Sequence, residues 1–167
     1  VLYLIASGKA DFSLTGGSMF GTLDFGSANS TLLFTADSLF SGEITRMGAT
    51  PFAMTVNNST VNNFASGTLN VSSMSLTNAA KIGLVIDNAR IAGNTPIYNI
   101  TGTADIAANT VFTPIFSQFT NQPFTLRVIN AGTLNLGGPL ADMLNVNSPY
   151  LYNMELVQPN PNAIDLE

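Results

Sequence analysis

Apolar and polar positions alternate in short runs along most of the chain. Phe12 and Leu14, Leu32 and Phe34, Met74 and Leu76 each stand two apart, as do the members of Phe52-Met54-Val56 and Ile82-Leu84-Ile86. A period of two puts such side chains on one face of a strand, whereas a helix would need a period of 3.6. Turn-forming residues follow the runs: Gly16-Gly17, Ala28-Asn29-Ser30, Asn57-Asn58, Asn62-Asn63, Asn78-Ala79, Asp87-Asn88 and Gly93-Asn94. Gly and Asn accept the left-handed backbone that tight corners require. The pattern predicts short strands joined by tight corners, an all-β fold.

A longer repeat lies over this alternation. Gly21-Thr22-Leu23-Asp24-Phe25 recurs as Gly42-Glu43-Ile44-Thr45-Arg46, Gly67-Thr68-Leu69-Asn70-Val71, Gly102-Thr103-Ala104-Asp105-Ile106 and Gly132-Thr133-Leu134-Asn135-Leu136, at intervals of 21, 25, 35 and 30 residues. Read as turn glycines that open strands, these units predict a right-handed parallel β-helix (a solenoid) of about three strands per turn. A sandwich is the competing architecture, with turn signals every ~8–12 residues. With the five units in one register, Leu23, Ile44, Leu69, Ala104 and Leu134 stack inside. Phe25, Val71, Ile106 and Leu136 form a second inner row, interrupted at Arg46, where a strand end would let Met47 turn inward. Asp24, Thr45, Asn70, Asp105 and Asn135 then line the outside as a solvated face.

The chain divides by character into residues 1–97, the repeating β units, and residues 98–167. Strands are expected at Tyr98–Gly102, Thr110–Thr113, Phe124–Ile129 and Leu134–Leu136, with a single helical turn over Leu140–Leu144. Tyr150, Tyr152, Met154 and Leu156 alternate along a strand. The corner Gln158-Pro159-Asn160-Pro161-Asn162 then turns it back into Ala163–Leu166, a β-hairpin that would cap the open end of a solenoid.

Composition narrows the function classes. Charged residues are 9% of the chain, against about 25% in ordinary soluble domains. Asn, Ser and Thr supply 19, 14 and 18 residues and carry the surface polarity instead. The net charge is −5, and the five basic residues, Lys9, Arg46, Lys81, Arg90 and Arg127, are scattered. No basic footprint exists for nucleic acid or for an anionic membrane. No run of 18 apolar residues is present to span a membrane as a helix. Val1–Ala6 reads as a first strand of an excised fragment and not as a signal peptide.

Histidine and cysteine are both absent. Ser-His-Asp and Cys-His catalysis and His/Cys zinc sites therefore have no residues to work with in this chain. Gly16-Gly17-Ser18-Met19-Phe20-Gly21 is glycine-rich but lacks the lysine of a phosphate loop. Carboxylates remain. A glycosidase pair stands about 5–10 Å apart, but Asp24 and Asp105 would lie three turns of the solenoid apart, about 14 Å. Asp24 and Glu43 sit at different offsets, and Asp37 and Glu43 flank a turn. No catalytic, cofactor-binding or metal-ligating residue is expected, and no cofactor. The Asn-x-Ser/Thr sequences at Asn29, Asn57, Asn58, Asn70 and Asn99 are read as corner and surface residues.

The run Gln122-Pro123-Phe124-Thr125-Leu126-Arg127-Val128-Ile129-Asn130-Ala131-Gly132-Thr133-Leu134, followed by Ser148-Pro149-Tyr150-Leu151-Tyr152 and Ala163-Ile164-Asp165-Leu166, resembles the end of a bacterial autotransporter passenger. In that family this junction, or autochaperone, region closes a β-helix ahead of a membrane barrel. The resemblance implies a non-enzymatic passenger segment that caps the β-helix and nucleates its folding during outer-membrane translocation. It also implies an extracellular or cell-surface location reached through the periplasm and outer membrane, and the protein's own C-terminal barrel as partner. Adhesion, self-association, or contact with a host or glycan surface are compatible roles of such a scaffold. The alternative is an extracellular β-helix that binds or cleaves polysaccharide; the absence of Trp and the mostly inward positions expected for Phe20, Phe25, Phe34, Phe52 and Phe64 argue against it.

Overall fold

In the computed structural model the described residues are 9–27, 29–46, 51–117, 122–145 and 153–167, together with the backbone of residues 2–6. The first strands are β1 (Leu2–Ala6), β2 (Asp11–Thr15), β3 (Ser18–Phe25), β4 (Ser30–Thr35), β5 (Leu39–Arg46), β6 (Phe52–Asn57) and β7 (Thr60–Asn63). Then come β8 (Leu69–Val71), β9 (Ser73–Thr77), β10 (Lys81–Ile86) and a short helix α1 (Asn88–Gly93). The remainder is β11 (Tyr98–Ile106), β12 (Val111–Phe116), β13 (Leu126–Leu136), a 3-10 turn at Leu140–Met143, β14 (Leu156–Asn160) and β15 (Ala163–Leu166). The fold is all-β, as the alternation predicts.

The strands form two sheets. One has the order β1-β3-β5-β7-β10-β12 and the other β14-β15-β13-β11-β9-β6-β4-β2, with β8 beside β11. From β1 to β7 the chain changes sheet at every strand, and each return adds a strand beside the last one laid down. Such neighbours are necessarily parallel, and every pair is parallel except those made by β15. The hairpin β14–β15 is present at the end of the larger sheet, and β15 pairs antiparallel with β13.

Register turns the alternation into a core. In the larger sheet Phe12, Leu32, Met54, Met74, Ala104 and Leu134 are successive partners, and beside them run Leu14, Phe34, Val56, Leu76, Ile106 and Leu136. The middle members of both rows are at most 2% exposed, and the end members are half-buried. In the smaller sheet Met19, Phe40, Val61, Ile82 and Phe112 make the matching row, which a parallel bridge extends to Leu144. The two sheets meet through these rows, where Phe34 and Phe40 have ring centroids 5.6 Å apart, and beside them, where Phe25 and Phe52 are 4.9 Å apart. Each fully buried aliphatic or aromatic side chain contributes about 1.5–3 kcal/mol.

The glycine repeat does something other than the pattern suggests. Gly21, Gly42, Gly102 and Gly132 lie inside strands, not at turns. Gly21 and Gly42 are register partners, and a Cβ on Gly42 would fall into the carbonyl of Gly21. A Cβ on Gly132 would stand 2.6 Å from the Thr101 carbonyl oxygen, where the β11–β13 register shifts between Ile100 and Thr103. These glycines permit close backbone approach at a kink. Nor do the five units share one register. Leu23 pairs with Ile44 in the smaller sheet, Ala104 with Leu134 in the larger, and Leu69 with Tyr98. Arg46 ends β5 in register with Phe25, its guanidinium 4.7 Å above the Phe52 ring, which keeps the row apolar beneath a cationic lid. Phe20 and Phe64, expected to face inward, are exposed, Phe20 because it alternates out of phase with the buried Leu23 and Phe25 of β3. Met47, Tyr150 and Tyr152 fall outside the described residues.

Corners stack as well. Gly16 and Gly17, Ala36 and Asp37, Asn58, and Asn78 and Ala79 all have positive φ. Gly16 N donates to Thr35 O (3.0 Å), Asp37 N to Asn58 O (2.7 Å) and Asn58 N to Thr77 O (3.1 Å). Each corner thus continues the hydrogen bonding of the strands. Just past it stand Ser38, Ser59, Ala80 and Thr110, all buried; Ser38 Oγ and Ser59 Oγ are 3.1 Å apart. Small side chains there let the chain turn from one sheet to the other. Asn62-Asn63, expected as a turn, instead belongs to β7. Asn63 is buried, and its Oδ1 accepts from Ile44 N (2.8 Å) and Ala65 N (3.1 Å).

On β9 the register separates two neighbours sharply. Leu76→Ala is expected to cost about 2–5 kcal/mol in denaturant unfolding, while Ser73→Ala, on the opposite face, stays within about 0.5 kcal/mol. Equal losses would contradict the register.

Candidate functional site

The predicted carboxylates do not converge. Asp24 lies on β3 of one sheet and Asp105 on β11 of the other, so they share no ladder. Asp24 Oδ1 accepts from the Thr45 hydroxyl at 3.0 Å, and Asp105 Oδ1 accepts from Asn135 Nδ2 at 2.7 Å. Glu43 is exposed beside Thr45, Arg46 and Ser66 in a shallow groove of about 230 Å³. Asp37 holds a left-handed corner and Glu43 lies within β5, so the two do not flank a turn as expected. At Asp11 the Thr31 hydroxyl, with Lys9 beside it, holds the carboxyl below the usual carboxylate range. Among the described residues no three potential metal ligands from His, Cys, Asp and Glu are grouped.

What the fold does assemble is a row of amides. Asn70 on β8, Asn99 on β11 and Asn130 on β13 are register partners. Asn99 Nδ2 donates to Asn70 Oδ1 at 2.9 Å, and Asn130 Nδ2 donates to Asn99 Oδ1 at 3.0 Å. The sequence signal for this row is an apolar-Asn-apolar triplet, Leu69-Asn70-Val71, Tyr98-Asn99-Ile100 and Ile129-Asn130-Ala131, spaced by 29 and 31 residues. The glycine repeat obscured it, because only Asn70 sits at that repeat's outer position.

The amide row walls an open groove of about 490 Å³, whose other wall includes Asn94 and Pro96. That wall exists because α1 interrupts the strand-to-strand pattern. Asp87 caps its N-terminus, accepting from Arg90 N at 2.8 Å, and Asn94 closes its C-terminus in the left-handed conformation. Arg90 then points inward, 1% exposed. Its Nη2 donates to the carbonyls of Ala65 and Gly67 (the latter at 3.0 Å), and Asp87 Oδ2 lies 3.6 Å from its Nε. Burial lowers the Arg90 pKa, and Asp87 opposes the shift. Thr68 Oγ1 donates to Pro96 O at 2.7 Å, tying the end of the excursion back to β8. In the sequence Arg90 is one of five scattered cations, and nothing local marks it as the buried clamp of this loop.

Arg127 stands at the end of the groove, ion-paired with Asp165 of the hairpin. It is the register partner of Asp165, which is 5% exposed. The site therefore offers neutral amides and hydroxyls, with its one cation already neutralised. No family model matches the chain, and no curated protein or solved structure matches it.

Tyr98, beneath the groove on β11, is fully buried, and its hydroxyl has no hydrogen-bond partner among the described residues. Burial pushes the phenol well above its ordinary value. A folded-state pKa raised above the unfolded one stabilises the fold fully below about pH 10, the unfolded value, and that stabilisation is lost as pH rises toward the folded value. Tyr98→Phe is expected to leave stability at pH 7 unchanged or raised by up to about 1 kcal/mol. It should also remove part of the decline above pH ~10. Denaturant unfolding of both proteins at the two pH values measures this; an equally steep decline in the variant contradicts it.

Proposed function

We propose that the chain is a right-handed parallel β-helix serving as a non-enzymatic segment of a secreted, surface-displayed bacterial autotransporter passenger, whose C-terminal hairpin caps the array and nucleates its folding during outer-membrane translocation. Parallel strands joined by crossovers are right-handed almost without exception, and a chain that returns repeatedly to two parallel sheets is the topology such a coil needs. The partner in this reading is the protein's own outer-membrane barrel, and its location is the cell surface or medium.

The observation that carries the proposal is the hairpin. A parallel array grows by adding strands to an open edge, and an unpaired edge invites aggregation. Here β15 runs antiparallel against β13, so the parallel stacking stops there and the five-residue β14 becomes the outer edge. Ile164 and Leu166 are fully buried and extend the core, while Arg127–Asp165 pins the two strands together. A cap of this kind is a nucleus onto which nearest-neighbour stacking can propagate. Low charge and the absence of cysteine suit a chain that crosses a membrane unfolded.

If the hairpin is the nucleus, β13 and β15 should show the slowest amide exchange and β2–β4 the fastest, as read by hydrogen exchange with mass spectrometry. Asp165→Ala removes the charge-assisted bond to the partly exposed Arg127 and is expected to cost about 1.5–3 kcal/mol, slowing refolding more than it speeds unfolding. Fastest exchange in β13 and β15, or an unchanged refolding rate in Asp165→Ala, would overturn the capping role.

A further inference from the structure

We propose that the groove beside Asn70, Asn99 and Asn130 binds an uncharged polysaccharide chain. This inference is independent of the passenger reading, because it rests on the groove alone.

Each ladder amide has two donor hydrogens and two acceptor lone pairs. The row consumes one donor and one acceptor per contact, so unspent capacity remains on all three side chains, which line the groove. Asn70 Nδ2 and Asn130 Oδ1, at the two ends, have no partner among the described residues. Neighbouring strands hold these amides about 4.8 Å apart, and the sheet holds them rigidly, so little conformational entropy is lost on binding. The result is a regular line of paired donors and acceptors, which matches a chain bearing hydroxyl groups at regular intervals.

Charge and apolarity exclude other polymers. An anionic chain finds its one cation, Arg127, already paired with Asp165, and a cationic chain finds no free carboxylate in the lining. An extended peptide takes its specificity from pockets for alternate side chains, and this lining offers one apolar residue, Pro96. No aromatic ring lines the groove, so each sugar is held by hydrogen bonds alone. Affinity for one sugar is weak, and a polymer presenting many copies is retained through its multiplicity.

The test is affinity electrophoresis of the whole chain through gels containing soluble neutral glucan, mannan, galactan or xylan, at low and high salt. Retention by at least one polymer is expected, unchanged by salt. Asn99→Ala, at the centre of the row, and Asn94→Ala, on the loop wall away from the sheet, should each weaken it by about tenfold, the loss of one good hydrogen bond. Asn57→Ala, in a separate amide contact with Asn78 outside the groove, should leave it intact. Circular dichroism melts confirm that each variant folds. No retention on any of the four polymers, retention equal in Asn94→Ala and wild type, or retention abolished by salt would each overturn the proposal.

Discussion

In-register parallel pairing sets each inward side chain directly beside its counterpart in the next strand, about 4.8 Å away. A row therefore tolerates no unpaired charge, which would be buried between apolar neighbours on both sides. The rows through Met54 and Val56 obey this across six strands. The same constraint reaches the corners, where Ser38, Ser59, Ala80 and Thr110 are small and buried because the chain must turn tightly at the same height each time. It also reaches the surface. A charge on an outer position would face a like position one strand away, and stacked Asn, Ser and Thr avoid that repulsion while hydrogen-bonding to one another. The scarcity of charge and the abundance of neutral polar residues are two results of one geometry.

The core was legible in the alternation. Every run from Phe12-Leu14 to Ile82-Ile86 is a strand with its apolar residues turned inward, since a period of two is a direct projection of the pleat. The hairpin was legible from the corner Gln158–Asn162, although β14 runs on through Gln158–Asn160 and the turn itself is only Pro161-Asn162. The glycine repeat misled because a local motif carries no information about which strand lies beside it. Gly21 and Gly42 face each other across one sheet, Gly102 and Gly132 approach backbone in the other, and Gly67 lies in a bend. Ala36-Asp37 escaped notice as a corner because neither residue announces a positive φ; the stacked neighbours Gly16-Gly17 and Asn58 impose it.

The groove was the least legible part. Its wall depends on α1, a six-residue insertion whose position is set by the buried Arg90 reaching back to Ala65 and Gly67, contacts 25 and 23 residues distant. Such a clamp has no periodic signature. Among the described residues the two ion pairs that include a buried side chain, Arg90–Asp87 and Arg127–Asp165, both stand where the repeating geometry is broken: one at the excursion of the chain, the other where parallel pairing gives way to antiparallel. Directional, charge-assisted bonds define conformation at these two places, where stacking alone would leave it open.

The register of the larger sheet is the claim on which the rest stands, and engineered disulfides test it directly because the chain has no cysteine of its own. Thr55 and Ser75 are Cα partners on β6 and β9, whereas Ser73 partners Ala53. A disulfide needs Cα atoms within about 7 Å, which the first pair meets and a pair offset by two residues does not. Oxidation of the double variant Thr55→Cys/Ser75→Cys should give a rapid and near-complete intramolecular cross-link, and Thr55→Cys/Ser73→Cys should give little. Efficient cross-linking of the second pair, or none in the first, would contradict the register.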